Sequence, residues 1–283
     1  MVKLPLGACD THCHVIGPHE RFGMIASAGD IRSDSVERHL AVIDALGLSR
    51  AVIVHPSSVY GDDHAALLHA LGVGGPRYRG VAVAKAEVSD ETLAQWTQAG
   101  IRALRFVAVK DAQGRPFAGS ADFDDLQKLA PRMRDFGLHA HIWANAEDLV
   151  AHESLLSTLG FPIVLDHMGK MDVAQGVNGA AFSRLIGMLR EGLVWVKLSL
   201  CRNSRQFPAY DDLRPFHDAF VSANPAQLLW GSDWPHIRMG AQAPDNESLL
   251  ATFFAFVDDG ALREKILVRN PETLFGFAPM AGA

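Results

Sequence analysis

Eight short runs rich in apolar and β-branched residues recur along the chain, separated by segments of helical period. This alternation restricts the fold more than any other feature. The runs are 8–12 (ACDTH), 51–56 (AVIVHP), 78–84 (YRGVAVA), 101–106 (IRALRF), 138–143 (LHAHIW), 162–167 (PIVLDH), 194–200 (VWVKLSL) and 227–232 (QLLWGS). Between them the spacing predicts helices over 35–48, 89–100, 123–137, 146–160, 180–192 and 210–224. In the first, Val36, Leu40, Ile43 and Leu46 share one face. The second opens on Ser89 with Thr92 three residues on, and the endings DFG, TLG and REG carry the glycine that closes a helix. Strands that lack polar alternation are buried on both faces, which means parallel pairing through βαβ units. Eight of them in 283 residues predict an α/β chain folded as one (β/α)8 or TIM barrel over 1–283, a fold that takes about 250 residues. A doubly wound sheet fits less well, because no GxGxxG follows the first run and no GxxxxGK[ST] occurs.

Composition narrows the function classes. The formal net charge is -6 and the cations are scattered, so neither nucleic acid nor a membrane is expected as a partner. No apolar stretch reaches about 18 residues, and MVKLPLGACD lacks the apolar core of a signal peptide; a cytoplasmic protein is expected. Cys9, Cys13 and Cys201 form no CxxC spacing and are read as reduced thiols. The helix faces carry no conspicuous second apolar stripe, and the C-terminal FGFAPMAGA suits packing internally or against a neighbour, so the oligomeric state is left unassigned.

Active-site groups of such a barrel come from the C-terminal ends of its strands. Those ends offer His12 and His14, His55 and Ser57, Arg105, His141 and Trp143, His167 and Lys170, Ser199 and Arg202, and Asp233 and His236. Alternation along a strand puts His12 and His14 on one side, and His139, His141 and Trp143 together. The same rule turns Cys13 away from its flanking histidines and Asp166 away from His167, so Asp166 is read as structural. A lone histidine is more often a hydrogen-bonded structural residue, and Arg105 alone would be an ordinary rim ion pair. The set is different: an HxH pair, a histidine ending the sixth run and an aspartate ending the eighth converge on one mouth. Imidazoles with a carboxylate can hold Zn²⁺ and activate water. Without metal, histidines can donate to a carbonyl while Asp233 serves as general base on water. Both chemistries are hydrolytic.

The stretches DTHCHVIGPHERF (10–22), VIVHPSSVYGDD (52–63), GIRALRF (100–106), VLDHMGKMDVAQG (164–176), WGSDWPHIRMGAQAPDN (230–246) and ILVRNPETLFGF (266–277) run in order over nearly the whole chain. In them the sequence resembles the amidohydrolase superfamily, and within it the amidohydrolase-2 group that includes 2-pyrone-4,6-dicarboxylate lactonase and related lactonases. The resemblance implies a lactonase, a carboxylic ester hydrolase acting in aromatic compound catabolism. His12, His14 and His167 would polarise the lactone carbonyl, Asp233 would take a proton from water, and His236 would line the pocket. It implies a metal-independent enzyme with no cofactor. A single Zn²⁺, if one is held, would fall to His12, His14, His167 and Asp233.

The departures from the family pattern concern the metal and the substrate. The fourth run ends RFVAV, without the lysine or glutamate that bridges two metals, and the fifth offers Trp143 where a histidine ligand would stand; His141 lies two residues deeper on the same face. Dicarboxylate-specific relatives grip carboxylates with arginines, whose planar fork binds them bidentately. Here Arg105 is kept, the HMGR arginine is Lys170, a further basic position falls near Asp111 beside Lys110, and Arg202 adds a cation after the seventh run. Trp143 replaces an expected tyrosine, and 23–34 lacks one. The expected substrate is a small carboxylated lactone other than the pyrone dicarboxylate, of muconolactone or sugar-acid type. Its carboxylate would lie near Arg105 and Lys170, with Ser57 and Trp143 shaping the wall. The competing readings are a Zn²⁺-dependent decarboxylase or hydrolase of the same superfamily, a lactone isomerase, and a non-catalytic barrel.

Overall fold

The computed structural model describes residues 3–111 and 113–280; the last three residues of the C-terminal run lie outside them. Among these residues eight strands form one parallel sheet in the order β1 to β8. They are β1 (Cys9–Cys13), β2 (Arg50–Val54), β3 (Tyr78–Ala82), β4 (Ile101–Val107), β5 (His139–Trp143), β6 (Ile163–Leu165), β7 (Trp195–Leu198) and β8 (Leu228–Trp230). Each matches a predicted run, and with the interleaved helices they make a (β/α)8 barrel. Ser89 caps its helix by accepting from Thr92 N–H, and the glycines of DFG, TLG and REG all take positive φ. The predicted 146–160 segment breaks at His152 into Ala146–Ala151 and Glu153–Leu156. Beyond the short helices Ser57–Tyr60, Gly260–Glu264 and Asn270–Phe275, two longer ones were not predicted, Ala65–Gly74 and Asn246–Phe256. Their sequences, AALLHALGVG and NESLLATFFAF, are apolar nearly all round, so they show no amphipathic period to read.

Inside the barrel, side chains stack in tiers. The bottom is apolar: Cys9, Val52, Val54, Val81, Ala103, Val164 and Leu229 pack on Phe275 and Phe277. Following the inward register upward brings Arg105, His139, His141, Trp143, Asp166 and Lys197 toward the mouth. Strand β1 joins by a different route. Its register against β2 shifts between Asp10 and Cys13, so that although Cys9 faces inward, His12 and His14 do too, and Cys13 packs in the outer core with Sγ on Val52 O. A bulge re-aims the side chains that follow it.

Strands β1 and β8 are joined differently from the other pairs. The Asp10 carboxylate accepts from His12 N–H, Ser232 N–H and the Ser232 hydroxyl, and Thr11 Oγ1 donates to Trp230 O. Beyond β8, Asp233 N–H reaches His12 O at 2.8 Å and His14 N–H reaches Trp234 O at 2.7 Å. The chain passes so close here that a Cβ on Gly231 would lie 2.6 Å from His12 Cβ. Only glycine fits.

Many histidines are locked in this interior as neutral rings. Burial pushes His39, His55, His139 and His167 down to about 3 and His217 to about 4. Burial pushes the Asp10 carboxyl the other way, to about 6, with its hydrogen bonds to Ser232 and His12 restraining the rise. A histidine depressed in the folded state takes up its proton only on unfolding, so its contribution to stability is full above about 6.5 and is lost as pH falls below that value. Asp10 opposes this between about 4 and 6, where the folded form holds the extra proton. The expected outcome at pH 5 is uptake of at least about four protons on unfolding, each worth about 1.4 kcal/mol per pH unit. Urea midpoints measured from pH 7 to 4.5 check it; a flat profile would contradict neutral burial of these rings.

Candidate active site

The barrel mouth holds a cavity of about 230 Å³ lined by residues that include His14, Ser57, Arg105, Phe117, Trp143, His167, Arg202, Asp233 and Arg238. Asp233 stands at its floor in the left-handed region, φ 66°. One carboxylate oxygen, Oδ2, accepts from Arg202 Nε–H. The other, Oδ1, lies 3.6 Å from His12 Nε2 and 3.4 Å from His14 Nε2, is buried, and has no hydrogen-bond partner among the described residues. Burial pushes the Asp233 carboxyl up, but Arg202 together with the neighbouring histidines outweighs it and holds the group well below the usual carboxylate range. It is therefore ionised at neutral pH and, for the same reason, a weak base.

His14 donates Nδ1–H to Val54 O at 2.8 Å, which fixes its tautomer because a carbonyl can only accept. A neutral His14 thus shows Asp233 a lone pair, and the two attract only through a hydrogen or cation held between them. His12 is fully buried just beneath the cavity. Its Nδ1 meets Lys197 Nζ at 3.0 Å, its Nε2 is unpartnered, and its ring lies 4.6 Å from that of His167. Burial and the Lys197 charge keep His12 far below the usual histidine range, so the ring is neutral.

Below this lies a charged tier. Lys197 and Asp166 are both fully buried and pair at 3.1 Å, and Asp166 Oδ2 accepts from Arg105 Nε at 2.7 Å. Burial raises the Asp166 carboxyl, but Lys197, His12 and Arg105 more than reverse this. The expectation that Asp166 faces away from His167 is overturned. Asp166 follows the inward register of Val164, and it is His167 that arrives by another path. The chain leaves β6 through a left-handed turn, with φ 51° at His167, 56° at Met168 and 64° at Gly169, which swings the His167 side chain onto the mouth.

Other expected residues distribute unevenly. Ser57 and Trp143 line the cavity; Trp143 stacks on Phe117, with ring centroids 5.7 Å apart, and carries the Arg105 guanidinium over its ring at 5.1 Å. Arg105 gives only Nε–H to Asp166, and its terminal nitrogens take no partner among the described residues. Arg202 reaches the cavity, but its guanidinium holds Asp233 and Ile237 O. Lys170 does not line the mouth cavity; with Lys110 it lines a neighbouring one, beyond the turn at 167–170. His236 likewise borders an adjacent cavity and hydrogen-bonds Ser232 O. His55 bonds Gly61 O and stacks on His64. His141 cannot replace the missing fifth-strand ligand, because Lys197 takes its Nδ1 and His139 its Nε2. Sequence reasoning missed Lys197, Phe117 and Arg238. Lys197 left a signal, a lone charge inside the apolar run VWVKLSL; Phe117 and Arg238 sit on irregular loops and left none.

His12, His14 and Asp233 each offer a ligand atom, all within 4.8 Å of one another; His167 is outside that group. A tetrahedral Zn²⁺ puts its ligand atoms about 3.4 Å apart, so two of the spacings suit the ion. His14 and Asp233 also have free lone pairs to give. His12 does not fit while Lys197 occupies its Nδ1, because the hydrogen then sits on Nε2.

Comparison with known proteins agrees with this architecture. The amidohydrolase family model matches residues 9–277. The chain is 35% identical to the 2-pyrone-4,6-dicarboxylate hydrolase of Comamonas testosteroni, over 96% of this chain and 91% of that one. It is 34% identical to the 4-sulfomuconolactone hydrolase of Rhizobium radiobacter, over the same shares. A crystal structure from Agrobacterium tumefaciens superposes with a TM-score of 0.86 at 22% identity, covering 98% of both chains. An amidohydrolase from Burkholderia multivorans with bound zinc does so at 0.72 and 22%, covering 96% of this chain and 99% of that one. With the barrel, the HxH strand end and the aspartate after β8 in place, the chain belongs to the amidohydrolase family.

Proposed function

We propose that this protein is a lactonase that opens the ring of a small carboxylated lactone by attack of water, without a metal ion. The observation that carries the reading is the unpartnered Oδ1 of buried Asp233, set between two imidazoles at the floor of a cavity that Arg105 also lines. The named activities of the Comamonas and Rhizobium relatives support the reaction class. The substrate carboxylate meets the free terminal nitrogens of Arg105 beside Trp143, with Ser57 on the wall. Lys170 and His236 have no part in this contact.

The carbonyl oxygen rests over His12 Nε2–H and His167. Water on the other side gives a proton to Asp233 Oδ1 and His14 Nε2, two acceptors 3.4 Å apart that share it. Here the roles of the histidines divide, because the hydrogen bond to Val54 O places the hydrogen of a neutral His14 on Nδ1 and turns a lone pair on Nε2 toward the water. The water oxygen bonds to the carbonyl carbon, the ring C–O bond breaks, and the shared proton returns to the departing ring oxygen. Since Asp233 is a weak base, the rate rests chiefly on polarisation of the carbonyl, where one lost donor costs roughly 100- to 1,000-fold.

A spectrophotometric screen of muconolactone-type and sugar-acid lactones at pH 7–8 tests this. Activity is expected to survive a chelator; abolition by chelator and recovery with Zn²⁺ would remove the metal-free mechanism. Asp233→Asn should lower kcat by roughly 100- to 10,000-fold with unchanged circular dichroism, and retention of most activity would sink the general-base role. Arg105→Lys should raise KM for a carboxylated lactone by roughly 10-fold and leave an uncharged lactone unaffected. Equal effects on both would show that Arg105 does not bind the carboxylate.

A further inference from the structure

We propose that Lys197 is a positioning residue that fixes His12 in the tautomer bearing hydrogen on Nε2, and so turns a metal-shaped triad into a hydrogen-bond donor. The inference rests on the metal-free lactonase reading and adds a residue to it. Lys197 is fully buried, and its Nζ lies 3.0 Å from His12 Nδ1, 3.0 Å from His141 Nδ1 and 3.1 Å from Asp166 Oδ1. An ammonium has three hydrogens and no lone pair; here it hydrogen-bonds the two imidazole nitrogens and pairs by charge with Asp166 Oδ1.

The other tautomer of His12 is opposed by the same contacts. A hydrogen on His12 Nδ1 would point at a donor 3.0 Å away and could reach only Asp166 Oδ1, at 3.4 Å. With Nδ1 accepting, the ring hydrogen must sit on Nε2, the atom beneath the cavity beside Asp233 Oδ1. The same logic puts hydrogen on His141 Nε2, which donates to His139 Nε2 at 3.1 Å. A lone pair for a metal would appear on His12 Nε2 only if the Lys197 contact were given up. His14, held by a backbone carbonyl in the opposite tautomer, shows that lone pair as a neutral ring. The site therefore pairs one donor imidazole with one acceptor imidazole. That asymmetry is what carbonyl polarisation and proton removal require together.

Two measurements test it. In the substrate-free wild type, ¹⁵N spectra of histidine-labelled protein, with His12 assigned through His12→Gln, should show hydrogen on Nε2 and none on Nδ1. Hydrogen on Nδ1, or on both nitrogens, overturns the proposal whatever the variants do. In Lys197→Met combined with Asp166→Asn, which removes both charges together, titration with Zn²⁺ alone against a fluorescent chelator should show at least about 10-fold tighter binding than wild type. Unchanged zinc affinity in a folded double variant overturns it too; if that variant does not fold, the wild-type spectrum decides. Neither readout uses a lactone. A protein that opens no carboxylated lactone but shows Nε2–H on His12 would lose the functional reading and keep this one.

Discussion

The ion pair of Lys197 and Asp166 is the constraint around which the barrel interior is arranged. Taking two charges out of water costs several kcal/mol each, and the loss is recovered only when every remaining donor and acceptor is satisfied. Here the partners come from β1, β4, β5 and the chain after β6: His12, Arg105, His141 and Asp166 all converge on one ammonium or on its counter-ion. Removing either member alone would leave a buried charge, at a cost of about 3–5 kcal/mol. The pair thus ties together strands distant in sequence and sets the directions in which the rings above it can donate.

A second layer of organisation is backbone strain. His167, Met168, Lys170 and Asp233 all occupy the left-handed region without being glycine, at about 1–3 kcal/mol each. These conformations sit at the ends of β6 and β8, and two of them are held by neighbours: Asn203 Nδ2 donates to His167 O at 2.7 Å, and Asp233 N–H to His12 O at 2.8 Å. The strain places two polar groups, Asp166 and His167, on the same interior although they are adjacent in sequence. A regular strand cannot do that.

This explains how much of the molecule was legible beforehand. All eight strands were readable because buried parallel strands are short, β-branched and bounded by helix signals; helices apolar all round were not. His12, His14, His167 and Asp233 were expected at one mouth because topology brings the ends of β1, β6 and β8 together; the bulge in β1 and the left-handed residues that aim their side chains were not readable. Asp166 was misread, since alternation was anchored on His167, whose position comes from a turn invisible to a period-two rule. Lys170, Arg202 and His236 were placed by sequence proximity to the mouth, but side-chain direction at a left-handed turn or in a charge pair decides what such residues reach. Lys197 was passed over as part of an apolar run, although a charge in that setting demands a partner and therefore marks a polar interior.

The joint between β1 and β8 gives the barrel a seam. Neighbouring strands elsewhere are laced by backbone ladders, whereas this edge is clasped largely by the side chain of Asp10 and by two backbone contacts beyond the strand. His12 and Asp233 sit on opposite sides of it. A ligand that touches both groups therefore bridges the first and last strands of the sheet, at the edge where side chains stand in for a ladder.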